Sequence, residues 1–264
     1  MSRQYRPRLS KAEMDIVEAA RAGLLSLPKS EKPRKELRPL PKPFKGNPGN
    51  VLVIGDIHEP FALDGYLEFC RETQERFDCG TVVFIGDVID NHFSSFHATD
   101  PDGYGAGDEL DRAIDKIAEW NAVFPKAYVC IGNHDRMAFR KAETGGVSKR
   151  WIKAYSDVLE TPGWDFVDEV VIDDVNYNHG EGGTARTKMR KEHQSQVQGH
   201  LHPQAYIEYS VGNQHKYFGM QVGCGVDREA YALAYAKRYP KQAISCGVVL
   251  DNGTLPILAT MDLD

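Results

Sequence analysis

Residues 51–58 read VLVIGDIH. Four apolar residues run into Gly55, then Asp56, then His58. A short apolar run closed by glycine fits a strand buried in a parallel sheet. In open α/β sheets, ligands sit at the carboxyl ends of the strands. Asp56 and His58 therefore stand where chemistry is usually done. At i, i+2 in an extended segment, both side chains would point to one side and reach a common ion. The device recurs downstream as TVVFIGDVID (81–90), AYVCIGNHD (127–135), VNYNHG (175–180) and QVQGHLH (196–202). Five apolar or alternating segments each end in Asp, Asn or His, a recurrence that chance does not supply.

The intervening stretches carry helical periodicity. Residues 63–76 place Leu63, Tyr66, Leu67 and Cys70 on one face, and residues 109–124 do the same with Leu110, Ile114, Ile117 and Trp120. A βαβαβ order over 51–133 follows, which implies a parallel sheet with right-handed crossovers. A loop rich in His, Ser, Gly and Asp (91–107) starts where Asp87 is delivered and should border the site. Residues 135–159 are helical in pattern, divided at Gly145-Gly146. Beyond Trp164 the character changes. Short strands are expected at 164–167, 169–172, 175–178, 205–210 and 215–222, with helices over 184–194 and 228–236. Residues 244–250 and 255–260 form a hairpin through Asp251-Asn252-Gly253. Two packed mixed sheets with helices outside fit this α/β order better than one doubly wound sheet.

The chain has 264 residues, 41% of them hydrophobic, enough for a sizeable core. No apolar run approaches the length of a membrane span, and the basic N-terminus lacks the apolar stretch of a secretory signal. Five scattered cysteines without a C-x-x-C pair suit reduced core thiols in a cytoplasmic protein. Charge is uneven: residues 1–50 hold 12 Lys/Arg against 5 Asp/Glu, and the rest holds 20 against 33. Ser10-Lys11-Ala12-Glu13 forms a capping box ahead of a helix near 11–25, and a Pro-rich basic linker follows over 29–49. Residues 1–49 thus read as a basic arm of helix plus linker, and 50–264 as the main domain. Such an arm can contact nucleic acid or act as a solubilising tail.

The strand-end residues Asp56, His58, Asp87, Asn133, His179, His200 and His202 offer two carboxylates, one amide oxygen and four imidazoles. That donor set suits borderline divalent ions such as Mn, Fe, Zn, Co or Ni. Seven ligands are too many for one tetrahedral zinc and suit two ions sharing a carboxylate.

Gly55-Asp56-Ile57-His58, Gly86-Asp87-Val88-Ile89-Asp90, Gly132-Asn133-His134-Asp135, His179-Gly180 and Gly199-His200-Leu201-His202 together resemble the five ordered motifs of the calcineurin-like metallophosphoesterase superfamily. The resemblance covers about 51–203. It implies a four-layer α-β-β-α sandwich with a dinuclear metal site at the strand C-terminal ends. It implies that Asp56, His58 and His202 hold one metal, that Asn133, His179 and His200 hold the other, and that Asp87 bridges. Manganese heads the metals expected in vitro. It implies that His134 protonates the leaving oxygen or clamps the phosphate, with Asp90 orienting it, and that a metal-bridging hydroxide attacks phosphorus.

Departures narrow the choice. The protein Ser/Thr phosphatases of the superfamily carry Arg-Gly where this chain has Asn91-His92, and Glu where it has Asp135. The Gly-Asn-His-Asp form is similar to the phosphodiesterase and DNA-repair nuclease branches. The stretch after Asp87 also resembles phosphoesterases of phages and bacteria, which implies a bacterial or phage-infected cytoplasm. Asn91, His92, His97 and Arg136 are candidate substrate contacts. Arg140, Arg186 and Arg190 fit solvated helix faces better. Trp151, Tyr155 and Trp164 read as core rather than as base-stacking platforms. Hydrolysis of a phosphodiester, in single-stranded nucleic acid or a nucleotide, is the expected activity. A phosphomonoesterase and a non-catalytic scaffold are the alternatives, and the oligomeric state is open.

Overall fold

Strand β1 (Asn47–Ile54) explains why VLVI is apolar throughout. Its alternate residues enter two different cores. Leu52 and Ile54 face helices, beside Tyr66, Phe84, Ile117 and Trp120. Val51 and Val53 face a second sheet, beside Val83, Ile85, Val175, Tyr177, Val197 and Met220. A strand covered on both sides has no polar face. A computed structural model describes residues 44–94, 103–227, 229–230 and 241–262. All of these lie in one compact unit, Pro41–Asp264. The arm helix near 11–25, most of the basic linker, His97, and all but two residues of the helix expected over 228–236 lie outside the described residues.

Strands β1, β2 (Cys79–Phe84), β3 (Ala127–Cys130) and β4 (Trp164–Val167) run parallel. Helix α1 (Tyr66–Arg76) connects β1 to β2, and α2 (Ala106–Val123) leads into β3. The hairpin β10 (Ser245–Leu250) and β11 (Leu255–Thr260) adds antiparallel to β1, giving the order β11-β10-β1-β2-β3-β4. The second sheet contains β5 (Glu169–Ile172), β6 (Val175–Asn178), β7 (Ser195–Gln198), β8 (Tyr206–Val211) and β9 (Lys216–Gln221). Its order is β5-β6-β7-β9-β8. The centre, β6-β7-β9, is parallel, and only its edge strands are antiparallel. Both sheets are mixed, as the sequence implied.

Helix α3 (Met137–Thr144) and a short helix α4 (Tyr155–Val158) occupy the stretch read as one divided helix. Helix α5 (Ala185–Glu192) covers the outer face of the second sheet, burying Ala185 and Met189. The layers are therefore helix, sheet, sheet, helix. Among the described residues, no helix is long and apolar enough to cross a membrane.

The aromatic expectation needs one correction. Trp164 is buried, and Tyr155 is half-buried and stacked on Phe166 at 5.3 Å. Trp151, however, is 84% exposed. Gly146 adopts a left-handed φ of 71°, just beyond the end of α3. The chain then makes a 3-10 turn, Lys149–Trp151, which buries none of its residues.

Candidate metal centre

In each of the first three motifs the strand stops before the polar cluster. β1 ends at Ile54, β2 at Phe84 and β3 at Cys130. Asp56 and His58 are therefore not i, i+2 neighbours in an extended segment. His58 has φ 48° and Asp87 has φ 47°, both left-handed. The turns rather than the pleat aim these side chains. The loops after β1 and β2 run side by side: the N–H of His58 donates to Asp87 O at 2.9 Å, and the N–H of Glu59 to Val88 O at 3.0 Å. Glycine is required where loops pass a carboxylate or a ring this closely. A Cβ on Gly132 would strike the Asp87 carboxylate, and one on Gly86 (φ 117°) would strike the His179 ring.

The structure brings six of the seven candidate ligands into two connected groups. Asp56, His58 and His202 offer donor atoms within 4.8 Å of one another, and so do Asp87, His179 and His200. Asn133 joins the second group, its Oδ1 lying 3.0 Å from His179 Nε2. Asp87 Oδ2 lies 3.1 Å from His179 Nε2 and 3.6 Å from His58 Nε2, so one carboxylate faces both groups. His202 Nε2 is 3.2 Å from Asp56 Oδ2. His58, Asp87 and His134 form a third set of donors within the same span.

A family model for the calcineurin-like phosphoesterases matches residues 49–221. The chain belongs to that family. The backbone is also similar to several solved structures. One is a single mutant of Vps29 from Entamoeba histolytica, 12% identical with a TM-score of 0.35, covering 81% of this chain and 99% of that one. Another is the phosphoesterase YfcE from E. coli, 13% identical with a TM-score of 0.36, covering 81% and 100%. A third is the nuclease MPE from Pseudomonas putida, 13% identical with a TM-score of 0.34, covering 78% and 86%. No curated protein sequence matches the chain significantly.

Divalent metals are expected in a calcineurin-like phosphoesterase, and the residues present fit them. Asp56 Oδ1 and His58 Nε2 are buried without a hydrogen-bond partner. Buried polar atoms are rarely left so, and an ion is one of the usual reasons. Two carboxylates, four imidazoles and an amide oxygen converge there, a donor set suited to borderline divalent ions.

The electrostatics agree. Burial pushes the Asp87 carboxyl up, but the His179, His134 and His58 rings outweigh it and hold it well below the usual range. Burial pulls the His179 ring down, but Asp87 and Asp56 outweigh it and raise it to about 10. Metal-free protein thus keeps a proton on His179 that an incoming cation must displace. Burial, then the neighbouring His134, lowers His58. Burial, then His179, lowers His200.

Around these groups sit the residues that aim them. The resemblance placed the Asp90 carboxylate on His134. Here Asp90 Oδ1 lies 2.6 Å from His58 Nδ1, and His134 Nδ1 donates to the Asp90 backbone oxygen, also at 2.6 Å. The carboxylate is 3.5 Å from His134, so Asp90 touches both rings. Burial lowers the His134 ring, but the Asp87 and Asp90 carboxylates outweigh it and raise it, which favours the protonated form.

Asp135 lies two residues before the start of α3 and turns its carboxylate into the protein. Its Oδ1 accepts from the N–H groups of Val88 (3.1 Å) and Ile89 (3.3 Å), and its Oδ2 from Gly132 (2.8 Å). The buried carboxylate ties the second and third motif loops together.

The candidate substrate contacts divide. Asn91 donates its Nδ2–H to His134 O at 2.9 Å, so its amide is committed to the loop. His92 is buried, in a 3-10 turn, His92–Ser94, whose first two N–H groups go to Glu109. Glu109 is thus an anchor of the site's border that the sequence pattern hid among the polar residues of a helix start. Arg136 stands at the rim, held by Asp168 at 2.8 Å and Glu181 at 2.6 Å. Arg186 and Arg190 of α5 pair with Glu208 of β8.

Proposed function

We propose that the protein is a dinuclear, divalent-metal-dependent phosphodiesterase. The observation that carries the reading is the Asp87 carboxylate facing both donor groups, beside two buried polar atoms without a hydrogen-bond partner. Asp56, His58 and His202 would hold one ion, Asn133, His179 and His200 the other, and Asp87 both. Bound there, two divalent ions would neutralise phosphate oxygens and lower the pKa of a water molecule. The chain's own residues supply the rest. His134, raised by two carboxylates, gives its proton to the leaving oxygen. Asp90 fixes that ring through its backbone oxygen and fixes His58 through its carboxylate. Asp135 holds the loops that carry Asp87 and His134.

Charge favours the diester. A monoester dianion calls for more positive charge beside the site than a diester monoanion does. Arg136 and Lys188, two cations at the rim, already pair with carboxylates: Arg136 with Asp168 and Glu181, Lys188 with Glu169. Residues 1–49, with their excess of Lys and Arg, would add phosphate contacts along a polymer. Single strands, strand ends and nucleotide diesters are the substrates this reading ranks first. Manganese is the metal to load first.

The test is the relative turnover of bis-p-nitrophenyl phosphate and p-nitrophenyl phosphate by manganese-loaded full chain. Faster diester turnover is expected. Faster monoester turnover would replace the reading with a phosphomonoesterase acting on nucleotides, metabolites or phosphopeptides.

A further inference from the structure

Residues 136–153 concentrate positive charge on an acidic body. They hold six Lys/Arg and one Asp/Glu, in a chain whose net charge is −6. Arg140, Lys141, Lys149, Arg150 and Lys153 are all exposed. Lys149 pairs with Glu143 at 2.7 Å, while Arg150 and Lys153 have no carboxylate partner among the described residues. Among these cations stands Trp151, 84% exposed. An exposed indole set among cations presents an open π-face on which a flat ring can stack.

This surface is fixed to the site. The N–H of Met137, the first residue of α3, donates to His134 O at 3.1 Å. Eight residues of helix span about 12 Å, and the Lys149–Glu143 pair holds the 149–151 turn beside the far end of α3. A row of rings holds the segment down: Phe139 lies 4.9 Å from Tyr155, and Tyr155 lies 5.3 Å from Phe166 of β4. The platform is built on the element that leaves the third motif.

We propose that this surface binds single-stranded nucleic acid, with Trp151 stacking on an unpaired base and Lys149, Arg150 and Lys153 contacting flanking phosphates. The proposal rests on the phosphodiesterase reading for its meaning and names the substrate class of that site. Stacking needs an open base face, which a duplex withholds. The chemistry of the patch is the combination that single-strand readers use, cations along the backbone and an aromatic under the base.

The test uses EDTA-treated full chain, so that no turnover interferes, and the anisotropy of a labelled short oligothymidylate. Trp151→Ala should weaken binding about tenfold to a hundredfold, and Trp151→Phe should restore most of it. Replacing Lys149 and Arg150 by Ala should lower the slope of log affinity against log salt by about 1.4. Competing duplex and phosphatidylserine vesicles should be insensitive to Trp151→Ala. Unchanged oligonucleotide binding in Trp151→Ala would overturn the proposal, as would an equal loss for duplex or vesicles.

Metal-loaded Trp151→Ala should hydrolyse bis-p-nitrophenyl phosphate at the wild-type rate, because that small diester does not reach the turn. A wild-type protein inactive on both small esters, but with Trp151-dependent strand binding, would sink the catalytic reading and leave the surface standing. Active protein with Trp151-independent binding would do the reverse.

Discussion

His134 belongs both to the proposed acid role and to a cluster with His58 and Asp87 whose donors lie within 4.8 Å. The two roles separate by experiment. His134→Ala should leave metal content unchanged and lower kcat about 10²–10⁴-fold for esters with poor leaving groups. Good leaving groups should suffer less. Loss of one ion from the variant would make His134 a ligand, and full kcat would remove it from the chemistry. Glu59 offers a pH test. Its Oε1 accepts from Trp120 Nε1 at 2.7 Å, and burial raises its carboxyl from 4.5 to about 7. The folded state binds that proton more tightly than the unfolded chain does. The stability it contributes is therefore full below the unfolded pKa and is lost as pH rises through about 7. Glu59→Gln keeps an acceptor for the indole and cannot ionise. In EDTA-treated protein its Tm should match wild type near pH 4 and exceed it near pH 9. A wild-type Tm at both pH values would mean that Glu59 does not titrate in this range.

At the scale of elements, the strand-end loops carry both the site and its weakest legibility in sequence. The parallel order of β1, β2 and β3 was readable because the segments that lead into the motifs (51–54, 82–84 and 129–130) are covered on both faces and so are apolar. The hairpin of β10 and β11 was readable from Asp251-Asn252-Gly253. The parallel centre of the second sheet was not, since Asn176, Asn178, Gln196, Gln198 and Gln221 are polar yet buried there. Asn178 and Gln198 bond each other, so polarity did not mean exposure. The candidate ligands were legible as residues, but their aim was not. It comes from left-handed turns and from groups such as Asp135 and Glu109, which bind backbone N–H groups distant in sequence. Trp151 misled for the opposite reason, because an aromatic in a helical pattern normally packs. Asp135→Asn tests the loop tie at constant volume. One carboxylate oxygen becomes an NH₂ facing an N–H donor, in a site 1% exposed. The variant should lose about 1–3 kcal/mol of stability in chemical denaturation. A wild-type midpoint would show that the loops hold without it.

Across the whole molecule, two mixed sheets turn the ends of β1, β2 and β3 toward the ends of β6 and β7, so each sheet contributes donors. Asp56, Asp87 and Asn133 come from the first sheet, and His179 and His200 from the second. No metal site can form unless the sheets are packed, so ion binding and folding should be linked. The most direct measurement is metal content per chain, with bis-p-nitrophenyl phosphate turnover followed in the same samples, for wild type and Asp87→Asn after manganese loading. The predicted result is two ions per wild-type chain, turnover abolished by EDTA and regained on reloading, and loss of both metal and turnover in Asp87→Asn. Turnover that survives metal removal, or Asp87→Asn with two ions and wild-type turnover, would contradict the account.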